Sequence, residues 1–320
     1  MKLGLLSTAR INELLGAGAR ATTDVEVVAI GSREPERAAA QARALDIPRA
    51  HGSYEALLAD SEVEAVYIAL PNSLHAEWSV RALQAGRHVL CEKPFSRRPA
   101  DVTHAFDTAN STGLVLAEAF MWRHHPQARR LVELLGRIGE VRLIRASFSF
   151  LLERTGDIRL QAALDGGALM DVGCYCVSAT RLVAGEPLAV SAQLIPGGDG
   201  VDVRLVAWLR FADEVLATID CGLDMAARDE LEVTGTHGVL WLDDPWHARV
   251  PAIELRHEGT LERIAIEPLN PYACELEDFA AAVAGERAPR FGREDALGQA
   301  RTIAALYESA EANRPTEVRP

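Results

Sequence analysis

The sequence lacks the features that mark several large classes of protein. Its 5 cysteines are odd in number and form no Cys-x-x-Cys pair, a pattern that favours a reducing compartment over a disulfide framework. The histidines show neither HxxxH nor HxxEH spacing, and the cysteines lack the spacing of a zinc site. We therefore expect no metal and, since no Gly-x-Ser-x-Gly elbow occurs, no nucleophile of that kind.

Positive charge and long apolar runs are also scarce. Lys and Arg number 33 against 46 Asp and Glu, giving a net charge of −13, and such a chain repels nucleic-acid phosphates and anionic lipid. No stretch approaches the roughly 18 apolar residues of a membrane span, and the apolar run at residues 3–6 is too short for a signal peptide. We expect a cytoplasmic protein that binds neither nucleic acid nor membrane.

What is present is the composition of a two-domain globular protein. The 320 residues, 48% of them hydrophobic, are enough for two cores. Short apolar runs alternate with helical patterns through residues 1–120, which predicts an α/β domain with a doubly wound parallel sheet. Residues 121–320 contain a long alternating strand near 141–148 and further strands joined by short turns. They predict an α+β domain with a large, mostly antiparallel sheet, and the last helices are candidates to pack back on the first domain.

The end of the first strand is a candidate dinucleotide site. The small-residue positions of a G-x-G-x-x-G/A fingerprint fall on Ser7, Ala9 and Asn12. Small side chains at the first two positions still let the backbone approach a pyrophosphate at the next helix N-terminus. The candidate cofactor ligands in this segment are Ser7, Thr8, Ala9, Arg10 and Ile11.

The end of the second strand indicates which dinucleotide binds. An NAD site usually places Asp or Glu here for the ribose 2′-hydroxyl, whereas this chain has Ser32 and Arg33, with Arg37 four residues on. A hydroxyl and a guanidinium suit a 2′-phosphate. We predict NADP, with NAD as the less favoured option; the alternative for Arg33 is an ion pair with Glu34 or Glu36.

Two later strand ends supply further candidates. Leu70, Pro71, Asn72 and His75 follow the third relevant strand as cofactor-binding candidates, and the alternative for His75 is an ordinary surface histidine. Glu92 and Lys93 directly follow the fourth strand, where a nicotinamide should lie. The Lys93-Pro94 bond is a candidate cis bond, and a solvated lysine in a turn is the alternative.

The chain resembles the glucose-fructose oxidoreductase / inositol dehydrogenase / MocA family. The matching segments are Glu92-Lys93-Pro94, Leu70-Pro71-Asn72 with His75, the Gly-Gly…Asp…Tyr run at 166–175, Tyr272 with Glu275 and Phe279, and residues 305–309. Residues 5–12, 118–123 and 171–175 are most similar to the D-xylose dehydrogenase and dimeric dihydrodiol dehydrogenase branch. The resemblance implies a Rossmann domain followed by a substrate-binding domain, and a homodimer through the C-terminal sheet.

The resemblance also implies that Lys93, Asp171 and Tyr175 are catalytic. Many family members have histidine where Tyr175 stands; Asp171 and Tyr175 are four residues apart, so they share one helix face. Free tyrosine has a pKa of about 10, which a nearby ammonium lowers. We expect Tyr175 to be the general acid/base and Lys93 its partner, with Lys93 itself as the alternative proton-transfer group. Asp171 orients Lys93, binds a substrate hydroxyl, or only caps its helix.

Four further residues are candidates to line the substrate pocket, with core packing as the alternative for the aromatic ones. They are Trp122, Arg123, Phe148 and Phe150. Together the patterns and the resemblance predict an NADP-dependent oxidoreductase that moves a hydride between nicotinamide and a hydroxyl-bearing carbon of a sugar or dihydrodiol. A keto-sugar reductase acting on a free or nucleotide-linked sugar stays open. So does a non-catalytic NADP-binding sensor, against which the presence of all three catalytic candidates argues.

Overall fold

The computed structural model describes residues 1–153 and 156–319, which divide into two compact units. The first comprises residues 1–121 and 270–297, and the second comprises residues 122–269 and 298–320. The first unit thus extends one residue beyond the sequence-based boundary at 120 and includes a later segment that returns to it.

The first unit is built on a six-stranded sheet in the order β3-β2-β1-β4-β5-β6. All neighbouring strands pair in parallel, so the predicted doubly wound sheet is confirmed. The strands are β1 (Lys2–Leu6), β2 (Glu26–Gly31), β3 (Arg49–His51), β4 (Ala65–Ile68), β5 (His88–Glu92) and β6 (Leu116–Ala119). The helices are α1 (Asn12–Arg20), α2 (Pro35–Ala44), α3 (Tyr54–Leu58), α4 (His75–Gln84), α5 (Pro99–Thr112) and α9 (Pro271–Val283).

Helix α9 belongs to the core of the first unit although it comes 150 residues after β6. Its apolar residues Leu276 and Phe279 lie in the same buried cluster as Leu5 and Leu90 of the sheet. Gly18 in α1 permits the close approach of the two helices, because a Cβ there would lie 2.6 Å from Tyr272 Cβ. The sheet is therefore covered by helices, as its continuous apolar strands require.

The second unit is built on a nine-stranded sheet in the order β14-β13-β12-β11-β7-β10-β9-β8-β15. Only β7 and β10 pair in parallel, and the other pairs are antiparallel, which confirms the predicted class. The strands are β7 (Val141–Leu151), β8 (Ala189–Pro196), β9 (Asp202–Arg210), β10 (Leu216–Gly222), β11 (Asp224–Gly235), β12 (Gly238–Leu242), β13 (Ala252–His257), β14 (Thr260–Ala265) and β15 (Thr316–Glu317).

One face of this sheet is packed and the other is exposed. In β9, Leu205, Ala207 and Leu209 are buried while the residues between them are exposed, the period of two expected of a half-buried strand. The remaining helices are α6 (Met121–His124), α7 (Pro126–Leu134), α8 (Cys174–Ala184) and α10 (Arg293–Ala312). No helix in the described part of the chain is both long and apolar enough to span a membrane.

Candidate active site

The turn after β1 has the backbone shape of a dinucleotide fingerprint. Ser7 adopts a φ of 126°, a region that favours glycine, at the position where the fingerprint has its first glycine. Its Oγ donates to Ala69 O at 2.7 Å. The fully buried Asn12 donates through Nδ2 to Ser7 O at 2.9 Å and to Gln41 Oε1 at 3.0 Å. Asn12, which departs from the fingerprint, therefore stabilises the turn.

The same turn leaves backbone donors available before α1. The N–H groups of Thr8, Arg10 and Ile11 have no acceptor among the residues that the structure describes, whereas Ala9 N donates to Ser7 Oγ at 3.2 Å. Free amides at a helix N-terminus bind anions such as a pyrophosphate. The segment from Ser7 to Ile11 thus fits the group predicted for it.

The end of β2 leaves one guanidinium unpaired. Ser32 is buried and its Oγ accepts from Glu34 N at 3.2 Å. Arg37 forms an ion pair with Glu34 at 3.2 Å, while Arg33 is exposed and has no ion pair within residues 1–153 and 156–319. The alternative that Arg33 pairs with Glu34 or Glu36 is therefore wrong. Arg33 retains its charge for an anion such as a 2′-phosphate.

His75 connects the two loops that follow β4 and β5. Its Nδ1 lies 3.0 Å from Pro94 O and its Nε2 lies 2.8 Å from Leu70 O, and the ring is buried. Burial lowers the pKa of His75, while the two backbone contacts oppose that change. The alternative of a surface histidine is wrong. Both ring nitrogens already face backbone oxygens, so His75 supports the loops, and direct contact with the cofactor stays a prediction.

The loop that carries Lys93 is held by carboxylates on both sides. Tyr67 donates its hydroxyl to Glu92, and Lys93 N donates to Glu92 Oε2 at 3.1 Å. Burial raises the pKa of Tyr67, so the phenol stays a donor. Phe95 N donates to Glu118 Oε1 at 2.7 Å, and the Lys93–Pro94 peptide bond between these anchors is cis, as predicted. Glu92 thus positions the loop through its side chain.

In the second unit, a glycine turn starts the helix that carries Asp171 and Tyr175. Gly167 has a φ of 123°, and a Cβ there would collide with the Asp202 carboxylate. Asp202 in turn accepts from Leu169 N at 2.6 Å and from the Tyr307 hydroxyl at 2.8 Å. The second glycine of the Gly-Gly motif is therefore required because Asp202, more than 30 residues later, occupies the space beside the helix start.

The first turn of this helix is unusually wide. Residues Leu169–Gly173 form a π-helical turn that leads into α8, a feature that often marks functional sites. Gly173 lies against β10, because a Cβ there would be 2.7 Å from Cys221 Sγ. Asp171 and Tyr175 lie four residues apart, within about one turn at 3.6 residues per α-helical turn.

Arg159 is a residue of the site that sequence reasoning missed. Its Nε donates to Asp171 Oδ2 at 2.7 Å and its Nη1 to Asp157 Oδ1 at 3.2 Å. Arg159 lies in a single 3₁₀ turn, Ile158–Leu160, which is too short for a periodicity that would single it out. Asp171 is thus part of an ion pair, so the alternative that it only caps its helix is incomplete.

Aromatic rings surround Tyr175. Its ring centroid lies 5.3 Å from that of Phe148 in a T-shaped contact and 5.8 Å from that of Trp246. Trp122 makes an edge contact with Trp246 at 5.4 Å. Phe148 and Trp122, both predicted, therefore share one wall with Trp246, which the sequence analysis missed. In the sequence Trp246 is marked only by its position directly after Asp244-Pro245, and the structure shows it fully buried.

The other two substrate candidates are less clearly placed. Phe150 makes no ring contact with another aromatic residue in the described chain, and Arg123 is buried. For these two residues, a role at the substrate remains only a prediction.

A charged cluster lies beside Phe148, whose ring makes a T-shaped contact with that of His247 at 5.6 Å. His247 Nδ1 is 3.2 Å from Asp229 and 3.6 Å from Asp244, and Arg249 lies within 3.7 Å of both carboxylates. Burial lowers the pKa of His247, but hydrogen bonds to Asp229 and Asp244 outweigh it and raise the value above normal. These three residues have metal-ligand chemistry and lie close together. Arg249 already supplies the cation, so the cluster is explained as an ion-pair network.

The two units, each by itself, carry the parts of a nucleotide-dependent oxidoreductase. The first has a parallel sheet with a turn of free backbone amides and a lysine loop at its strand ends. The second has a tyrosine and an aspartate on one helix turn beside an aromatic wall. This combination of a dinucleotide fold with a tyrosine and an aspartate on one helix turn is typical of the class.

Comparison with known proteins places the chain within this class. Residues 3–120 match the oxidoreductase family with an NAD-binding Rossmann fold, and residues 125–241 match its C-terminal domain. The chain belongs to this Gfo/Idh/MocA oxidoreductase family.

Individual relatives are similar along most of their length. The chain is 40% identical to D-xylose 1-dehydrogenase (NADP(+)) 2 of Haloferax volcanii, over 99% of this chain and 100% of that one. It is 32% identical to trans-1,2-dihydrobenzene-1,2-diol dehydrogenase of Xenopus laevis, over 75% of this chain and 74% of the other. Among solved structures, a 3-ketoreductase from Actinomadura kijaniata in complex with NADP and TDP-benzene has a TM-score of 0.91. It shows 34% identity over 97% of both chains.

Proposed function

We propose that the protein is an NADP-dependent dehydrogenase that oxidises a hydroxyl-bearing carbon of a sugar such as D-xylose, or of a trans-dihydrodiol. The observation that carries the proposal is Tyr175, a phenol in an aromatic wall with Asp171 one helical turn before it. An apolar wall with a few polar groups suits a sugar or cyclic diol. The similarity to D-xylose 1-dehydrogenase over 99% of the chain supports the substrate class.

The cofactor proposal rests on the loops of the first unit. The free amides after β1 suit a pyrophosphate, and the unpaired Arg33 beside Ser32 suits a 2′-phosphate. We assign cofactor contacts to these residues and to the loops after β4 and β5. The set is Ser7, Thr8, Ala9, Arg10, Ile11, Ser32, Arg33, Arg37, Leu70, Pro71, Asn72, His75, Glu92 and Lys93.

The chemistry follows from the need to move a proton. NADP, when bound, supplies the hydride acceptor. Tyr175 removes the proton from the substrate hydroxyl, and the Lys93 ammonium lowers the cost of forming its phenolate and stabilises negative charge on the substrate oxygen. Asp171, one turn before Tyr175, orients Lys93 or binds a hydroxyl of the substrate. In the reverse direction Tyr175 donates the same proton to a carbonyl oxygen.

A direct assay tests the proposal. The protein is incubated with NADP and a panel of pentoses, hexoses and trans-dihydrodiols, and absorbance of the reduced nicotinamide is followed. We expect turnover with at least one sugar or diol, at a higher kcat/KM with NADP than with NAD. Tight NADP binding without turnover of any panel member, in either direction, would instead favour a non-catalytic sensor.

The reductive reaction is the second candidate. It is favoured by the TM-score of 0.91 to a 3-ketoreductase of similar length, since the same residues serve both directions. NADPH with free and nucleotide-linked keto-sugars tests it. A higher kcat/KM for reduction of a keto-sugar than for oxidation of any sugar would make reduction the main activity.

We also propose that the protein is a cytoplasmic homodimer that pairs through the exposed face of its nine-stranded sheet. Ile195, Val206, Trp208 and Leu216 expose apolar side chains there, and Thr218 of β10 lies opposite Trp208 of β9. Apolar residues grouped on one open face are typical of subunit interfaces. Light scattering should give twice the mass of one chain, and Trp208→Glu should give monomers. A wild-type monomer at micromolar concentration would contradict this.

A further inference from the structure

Arg159 is fixed by the same turn that starts the helix of Asp171 and Tyr175. Its carbonyl accepts from Gly167 N at 2.8 Å, and its N–H donates to Asp157 Oδ1 at 3.0 Å. A Cβ on Gly166 would collide with the Arg159 carbonyl group. The backbone of Arg159 therefore cannot shift without disturbing the glycine turn.

The guanidinium group is held by two carboxylates. Nε donates to Asp171 Oδ2 at 2.7 Å, and Nη1 lies 3.2 and 3.4 Å from the two oxygens of Asp157. A guanidinium has five N–H donors, and Nη2 has no partner in the described parts of the chain. The Arg159 side chain is 40% exposed, against 12% for Asp157 and 17% for Asp171. Of these three side chains, that of Arg159 is therefore the most accessible to a ligand.

The charge of the group restricts what it can bind. Two carboxylates and one guanidinium carry a net negative charge, which disfavours a phosphate or a carboxylate at Nη2. A neutral hydroxyl or carbonyl oxygen accepts a hydrogen bond there without that repulsion. The fixed position of Nη2 next to Asp171 makes the contact specific for one oxygen, because the planar guanidinium cannot follow a displaced partner.

We infer that Arg159 is a further substrate-binding residue, which donates from Nη2 to one neutral oxygen of the sugar while Nε holds Asp171 in place. The inference rests on the proposed function and adds to it a contact with a single oxygen. A hydrogen bond from a charged donor contributes roughly ten- to a hundredfold in binding.

Deoxy sugars provide the test. Kinetic constants are measured for wild type and Arg159→Lys with the best sugar of the panel and with each of its monodeoxy derivatives. We expect Arg159→Lys to raise KM for the parent sugar roughly ten- to a hundredfold. For one deoxy derivative, the one without the contacted oxygen, the variant and the wild type should have the same KM. An equal loss with the parent and with every derivative would show a purely structural role and overturn the inference.

Arg130→Lys is the matched control. It makes the same substitution at an exposed arginine that pairs with Glu133 at 2.9 Å and lies outside the candidate site. We expect less than a threefold change in KM for every sugar. A loss as large as that of Arg159→Lys, without oxygen specificity, would count against the assigned contact.

A binding measurement separates this inference from the proposed activity. In ¹⁵N-labelled protein with NADP bound, the Arg159 side-chain N–H signals are identified by their loss in Arg159→Lys. Titration with the parent sugar should shift them, and titration with the insensitive deoxy derivative should not. Signals unmoved by a saturating sugar would overturn the inference even if turnover is normal. Failure of turnover with shifted signals would overturn only the proposed activity.

Discussion

The two compact units hold their candidate residues by different means. In the first, the residues lie in loops directly after strands. Contacts within each loop, from Asn12 Nδ2 to Ser7 O and from Lys93 N to Glu92 Oε2, act there together with longer-range ones such as Ser7 Oγ to Ala69 O. In the second, remote residues fix the helix turn, as Asp202 does at Leu169 N. A site at strand ends is therefore visible in the local sequence, whereas a site on one helix turn depends on distant packing.

Tyr175→Phe should give the largest effect and tests whether the chemistry depends on the second unit. Removing the hydroxyl deletes the proton-transfer group, so we expect kcat/KM to fall roughly 10²- to 10⁴-fold, with an unchanged dissociation constant for NADP. Steady-state kinetics and cofactor fluorescence provide the two measurements. Tyr54→Phe, whose ring packs on Trp78 in the first unit, is the control and should keep full activity. Full activity of Tyr175→Phe would show that the helix turn of the second unit does not carry the proton-transfer group, so the two units could not be compared as two parts of one site.

Gly167→Ala tests the dependence on distant packing. A methyl group at a φ of 123° is strained and collides with Asp202, so we expect the free energy of unfolding to fall by about 3 kcal/mol. Urea denaturation measures the change. Gly136→Ala is the control, because a Cβ there meets nothing within 4 Å, and it should change stability by less than about 0.5 kcal/mol. Equal stability of both variants would argue that Asp202 does not determine the turn.

Arg33→Ala tests whether a residue identified only from its position after a strand of the first unit binds the cofactor. Loss of a charged donor to the 2′-phosphate should raise KM for NADP roughly ten- to a hundredfold and leave KM for NAD unchanged. The control is Arg43→Ala, an exposed arginine in the last turn of α2 that lies outside the assigned cofactor contacts, and a change below threefold is expected. An equal rise in KM for NADP and for NAD would mean that Arg33 does not bind the 2′-phosphate.

The smallest expected effect comes from Asp60, a structural carboxylate of the first unit. Burial raises its pKa, but hydrogen bonds from Glu62 N, His51 and Arg49 outweigh this and lower it to about 2. A lowered pKa adds stability above the unfolded value near 4, and that contribution is lost as the pH falls from about 4 to 2. The loss is about 1 kcal/mol by pH 3 and about 2 kcal/mol in total.

Acid unfolding of Asp60→Asn against wild type measures this contribution. The variant should be less stable at pH 6, and the difference should shrink steadily below pH 4 because protonation removes the same charge from the wild type. A difference that stays constant down to pH 2 would contradict the assignment. The hydrogen bonds of Asp60 come from residues within 11 positions in the chain. The expected result would therefore show that contacts between residues close in the chain also stabilise the first unit outside the candidate site.

The sequence predicted most of the elements with strong periodicity and missed several short ones. The alternation before residue 120 gave the parallel sheet, but the three-residue β3 (Arg49–His51) has no pattern long enough to detect. The strand β8 (Ala189–Pro196) was also missed. The helix α7 (Pro126–Leu134) was missed although its buried residues Ala128, Leu131 and Leu134 have helical spacing. Short or partly exposed elements are stabilised by the neighbours they pair with, so their own residues carry a weak signal.

The candidate site divides in the same way. Ser7, Arg33 and Lys93 were found because they directly follow strands, and Tyr175 because it belongs to a recognisable motif. Arg159 and Trp246 follow no strand end and belong to no motif. They became visible only when folding placed one beside Asp171 and the other beside Phe148.

The sequence by itself determined the class of each unit, the positions of the strand-end loops and the preference for a phosphorylated dinucleotide. These follow from interactions between residues close in the chain, where periodicity and turn chemistry act directly. Only the tertiary structure decided which partners fix Asp171, which rings surround Tyr175 and that His75 is buried. Those outcomes depend on side chains brought together from distant positions, and the packing of such pairs has no counterpart in a local pattern.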